Sequence, residues 1–206
     1  MNESQTATED EATARRRRDH RRLRRIATRH GAVLLGALTL WGAADLWATV
    51  SGWLLAETVA LFNAVFAGTI IAYLFHEWGH FSGARLSGAV SPVLKEPRSF
   101  FMFNFRDDLN TRGQFLSMSM GGPVANWTLV VLLFFMLPLD TWSQSLLFAT
   151  AVAIAVSVCV FEVPVINRVM YGDDPAEVLS IRQREAGTLP RNTGIAVGAL
   201  VWLLAI

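Results

Sequence analysis

Cysteine is nearly absent: Cys159 is the one thiol in 206 residues. A single thiol excludes a disulfide framework and a cysteine-based metal site. Charge is also scarce, at 17% of positions, and most of it falls in a few blocks. Thr58–Phe75 runs for 18 residues without any. Lys and Arg are missing from the connections near Ala56–Glu57 and at Asp140. No internal repeat is evident, which argues against the repeat plan of many transporters. No inserted segment resembles a peptide-binding module.

What the chain has instead is apolar surface. Hydrophobic residues fill 52% of positions, and the mean hydropathy is positive. Five apolar segments stand out, at residues 31–56, 58–86, 115–139, 141–161 and 194–206. The last has 13 residues, where a membrane span needs about 20. The pattern predicts an all-α integral membrane protein with about five transmembrane helices, filling residues 31–206 as one domain.

Residues 1–30 differ. Met1–Thr13 is polar and acidic, and Arg15–Arg29 holds nine arginines. So polar a segment has little apolar surface to offset the entropy of ordering, and it is expected to be a disordered basic tail. It does not read as a signal peptide. The arginine block adjoins a span, so anionic lipid is its expected partner rather than nucleic acid. All 18 basic residues lie in the tail, around residues 85–112, or between residues 168 and 191. The positive-inside rule then places the N-terminus and both long connections in the cytoplasm, with the protein in the cell (inner) membrane.

The second span ends in His76-Glu77-Trp78-Gly79-His80. Histidines at i and i+4 share a helical face and reach one zinc ion, with the glutamate beside the water that zinc activates. Ionisable groups at membrane depth are costly, which favours a functional reading over a solvated helix end. One Zn²⁺ per chain is expected, bound by His76 and His80. Catalytic zinc takes a third protein ligand. Candidates are His20, His30, Asp107, Asp108, Glu162, Asp173 and Asp174. Pro164 is read as breaking the fourth span, after which Gly172 precedes Asp173 and Asp174. Gly121, Gly122 and Pro123 open the third span, where Asn126 supplies an amide. Ala89–Leu94 and Ser99–Phe105 read as a short hairpin near the membrane surface, with Asp107–Asn110 as a turn.

His76-Glu77-Trp78-Gly79-His80, then Gly122-Pro123-Val124-Ala125-Asn126, then an Asp about ninety residues past the histidines resembles the site-2 protease family of intramembrane zinc metalloproteases. The resemblance spans about residues 58–175. It implies a three-helix catalytic core, zinc near the cytosolic face and membrane-spanning protein substrates. It also implies Asp173 as third ligand. The family's closing motif is Asn-x-x-Pro-x-x-x-x-Asp-Gly. This chain departs from it, with Phe161 at the Asn position and the acidic pair displaced to Asp173-Asp174. In the expected mechanism Glu77 is the general base and Asn126 stabilises the oxyanion. Two other classes fit the composition: a non-catalytic scaffold or regulator with the same fold, and a membrane metal-handling or transport protein.

Overall fold

The computed structural model describes residues 3–98 and 101–205. Its elements are α1 (Glu3–Ser51), α2 (Leu54–Leu86), β1 (Val93–Arg98), β2 (Phe101–Phe103), α3 (Arg112–Met136), α4 (Trp142–Met170), α5 (Pro175–Glu185) and α6 (Leu189–Leu204). Four described helices are long and apolar enough to cross a membrane: α1 from Arg16, α2, α3 and α4. The fifth expected span is α6, a shorter apolar helix of 16 residues. Large apolar side chains such as Leu35, Phe62 and Phe135 stand on the outside of the bundle. Hydrocarbon suits such faces better than water does.

The helix α2 lies at the centre and packs on α1, α3 and α4, while α6 packs on α4. Ala56, Ala60, Ala64 and Ala67 of α2 are wholly buried. Their i, i+4 and i+3 spacing makes one stripe, and small side chains on a stripe let helices close up. Nearer the motif the contact becomes backbone on backbone. A Cβ on Gly79 would lie 2.2 Å from the Gly121 carbonyl oxygen, and one on Gly121 would lie 2.2 Å from that of Gly79. Gly79 and Gly121 therefore set the α2–α3 distance.

The chain leaves α2 through Gly88, at φ 70°. The Gly88 amide donates to the Arg85 carbonyl, and the Ala89 amide to the Ala84 carbonyl. This paired closure ends a helix on a left-handed residue. The hairpin follows, with β1 and β2 antiparallel and Val93 opposite Phe103. A hairpin is thus present, but its first strand is Val93–Arg98 instead of Ala89–Leu94; its second is Phe101–Phe103, while Ser99 and Phe100 lie outside the described residues. Its register shifts between Val93 and Arg98: β1 advances from 93 to 98 while β2 goes only from 103 to 101.

Two expectations are corrected. Residues 3–30 belong to one continuous helix with the first span, instead of forming a disordered tail. Arginine is a good helix former, and Ile26, 4% exposed, packs with Leu23 against the hairpin. The helix α4 runs on past Pro164 to Met170 instead of breaking there. Pro164 has no N–H for the Val160 carbonyl one turn back. Arg182 of α5 donates to that carbonyl, and to Phe161 O at 3.2 Å, so the opened ladder is satisfied from outside. The helix α5 is not visible in the hydropathy pattern. Asp174 caps it by accepting from the Glu177 amide at 3.0 Å, and Pro175 occupies its first turn, where a missing N–H costs nothing.

Candidate metal centre

The face of α2 that meets α3 and α4 carries His76 and His80. Their Nε2 atoms are 3.0 Å apart. Oε1 of Glu162, from α4, is 3.2 Å from the first and 3.3 Å from the second. Three ligand atoms thus form a nearly equilateral triangle. For a tetrahedral ion with bonds of about 2.0 Å the edge between ligands is about 3.3 Å. The donor set therefore fits a zinc-sized ion. Among the described residues it is the one group of three such side chains close enough to share a metal.

The tautomer of His80 is fixed from behind. Its Nδ1 lies 2.8 Å from the Met118 carbonyl oxygen, a contact that requires Nδ1–H to donate. Nε2 is then left with its lone pair towards the triangle, as a metal ligand needs. Other atoms have unspent capacity: His76 Nδ1, Glu162 Oε2 and both amide atoms of Asn126 are buried without a partner. Buried polar atoms without partners are rare and concentrate where a ligand or water belongs.

Gly122 faces the imidazoles. A Cβ there would lie 2.6 Å from Cε1 of both His76 and His80 and from Nε2 of His80. Only a glycine leaves room for the two rings to converge. Gly122→Ala is expected to lower zinc affinity by about 5- to 150-fold, the equivalent of the roughly 1–3 kcal/mol that overpacking costs. Titration of the purified variant against a zinc indicator measures this, and wild-type affinity would contradict it.

Glu77 is buried beside the triangle and is not part of it. Its Oε1 accepts from the Met102 amide of β2 at 3.3 Å. The hydrogen bond comes from the stretch where the hairpin register shifts. A cavity of about 600 Å³ joins His76, Glu77, His80 and Glu162 to an aromatic wall that includes Phe101, Phe103, Phe105 and Phe161. A larger cavity, about 770 Å³, between α1, α2 and α3 holds none of those four ionisable groups.

Asn126 sits one turn beyond Gly122 on α3 and is 1% exposed. It does not line the smaller cavity. Asp173 is not with the histidines, and the expectation that it is their third partner is corrected. It lies 11 residues beyond Glu162, past the end of α4, and a helix rises about 1.5 Å per residue. Its Oδ2 is 2.8 Å from Arg168 Nε in an exposed pair. Asp174 is occupied as the α5 cap. Asp108 is gripped by Arg106 at 2.9 and 2.7 Å. That hydrogen bonding holds its carboxyl below the usual carboxylate range. Arg182 and Met118 escaped the sequence reading. The signal for Arg182 was Pro164, which obliges some donor to meet the Val160 carbonyl.

No family model, curated protein or solved structure matches the chain.

Proposed function

We propose that this protein is an intramembrane zinc metalloprotease that hydrolyses peptide bonds in membrane-spanning substrates. The observation that carries the proposal is the triangle of His76, His80 and Glu162, with Glu77 beside it, in a bundle of helices long enough to cross a membrane. The resemblance of its motifs to the site-2 protease family points the same way. Glu162 takes the place first assigned to Asp173.

His76, His80 and Glu162 would hold the zinc, which when bound would supply an acidified water and a Lewis acid for the scissile carbonyl. Glu77 takes the water's proton and delivers it to the leaving amine. His80 keeps its lone pair on the metal side through the Met118 carbonyl. Asn126, expected to serve the oxyanion, has its amide unspent but lies off the smaller cavity, so no contact with the reacting carbonyl is assigned to it. The aromatic wall limits water around the reacting groups. Cleavage requires a locally unwound substrate, because a helix hides its amides in its own ladder.

The test is cleavage of a transmembrane peptide by purified protein in liposomes. Zinc chelation is expected to stop cleavage and added zinc to restore it. Cleavage that survives complete zinc removal would refute the reading.

The basic residues support an N-terminus in the cytoplasm, with anionic lipid around the arginine block. A cysteine at Asp140 is then expected to react with an impermeant thiol reagent added outside cells, and one at Gln114 to stay unlabelled. The reverse labelling would invert the topology.

A further inference from the structure

Two hydrogen bonds tie α1 to the outer edge of the hairpin, and an ion pair ties it to the end of α2. Asp19 Oδ1 accepts from the Val93 amide at 2.7 Å. Arg22 Nη1 donates to the Val93 carbonyl at 3.2 Å. The other Asp19 oxygen, Oδ2, meets Arg85 at the end of α2 at 2.5 Å. Both backbone polar groups of one edge residue are therefore taken by side chains of the arginine-rich segment. Below them Ile26 is buried with Phe81, Val93 and Met102, and Leu23 and Phe103 pack around this cluster.

The same small core contains Met102, whose amide donates to Glu77. A series of contacts thus runs from Asp19 through Val93, across the strand pair to Met102 and on to Glu77 beside the triangle. The register between Val93 and Arg98 is irregular, and only two short strands make the hairpin. A two-stranded hairpin is at best marginally stable in water. Its placement must come from what it leans on, which here is α1 and α2.

We propose that the segment of α1 from Asp19 to Ile26 is a strap that fixes the hairpin, and that Asp19 is a positioning residue for Glu77. This rests on the proteolytic reading for its purpose but not for its test. Asp19 touches no reacting group and acts through Val93 and Met102. The arginines around it keep the strap basic and soluble at the bilayer surface, while Asp19, Leu23 and Ile26 form the face that holds the hairpin.

Hydrogen exchange of the full chain, zinc-loaded in detergent, tests the strap without any substrate. Asp19→Ala is expected to speed exchange at Val93 and Met102 about tenfold, as fits loss of a charge-assisted bond. Asp19→Asn retains an acceptor for the Val93 amide, and its exchange is expected to stay near wild type. Zinc content should hold in both. If Asp19→Ala does not fold, Arg22→Ala removes only the donor to the Val93 carbonyl, and is expected to give a smaller rise confined to the same peptides. Unchanged exchange in the hairpin would overturn the strap, as would a rise spread evenly over α2, α3 and α4. For zinc-loaded Asp19→Ala, turnover of a transmembrane test peptide is expected to fall about tenfold with the hairpin loosened. Full turnover despite a loosened hairpin would sink the positioning role and leave the proteolytic reading intact.

Discussion

Glu162→Ala is expected to strip zinc from the purified protein, whereas Asp173→Ala leaves one zinc per chain. The reason is position. Glu162 Oε1 completes a triangle with two imidazole nitrogens at 3.2 and 3.3 Å. Without it, zinc retains two protein ligands, short of the three of a catalytic site. The loss of affinity should exceed the roughly 10- to 100-fold that follows removal of a hydrogen bond supporting a ligand. Asp173 instead pairs with Arg168 on the surface, with both side chains nearly half exposed. Such pairs contribute about 1 kcal/mol at most, so its removal should change neither fold nor metal. Zinc quantification in the two variants decides the point. A zinc-free Asp173→Ala beside a zinc-loaded Glu162→Ala would restore the ligand set implied by the family resemblance.

Glu77→Gln is expected to keep its zinc and lose turnover by about 100- to 10,000-fold, the usual range for a positioned general base. The substitution is close to isosteric. A glutamine oxygen still accepts from the Met102 amide, so the hairpin remains in place. What disappears is the basic oxygen that takes the proton. The measurement is single-turnover cleavage of a transmembrane peptide alongside zinc content. Wild-type turnover would remove Glu77 from the mechanism, and loss of zinc would make it a ligand instead.

The histidine pair was legible because the i, i+4 rule is local and needs no knowledge of the fold. Four of the expected spans were legible from long runs poor in charge, and they coincide with the four helices long and apolar enough to cross a membrane. The carboxylate that stands with the histidines was harder to read, because its place depends on whether α4 survives Pro164. A proline usually costs a helix interior about 3 kcal/mol, and that favoured a break. Arg182, 18 residues later, reverses the outcome by donating to the freed carbonyl. A contact between distant segments of that kind leaves no local pattern. With α4 unbroken, Glu162 stays in the bundle and Asp173 is carried away from it.

The N-terminal segment shows the opposite error. Its charge density was read as disorder, because composition averages over faces. Leu23 and Ile26 are three apart, and His30, 4% exposed, follows after four more. That spacing marks one helical face within a basic background. The hydrogen bond from Trp78 Nε1 to His30 Nδ1, at 3.1 Å, ties this face to the metal motif itself. The hairpin was visible from its aromatic alternation, but the Met102–Glu77 bond was not, since it joins residues 25 apart that no local pattern pairs.

The most direct test is anomalous diffraction at the zinc edge from crystals of the full chain. One peak is expected, at about 2.0–2.2 Å from Nε2 of His76, Nε2 of His80 and Oε1 of Glu162. A peak elsewhere, or none from protein supplied with zinc, would contradict the metal centre and with it the proposed hydrolysis.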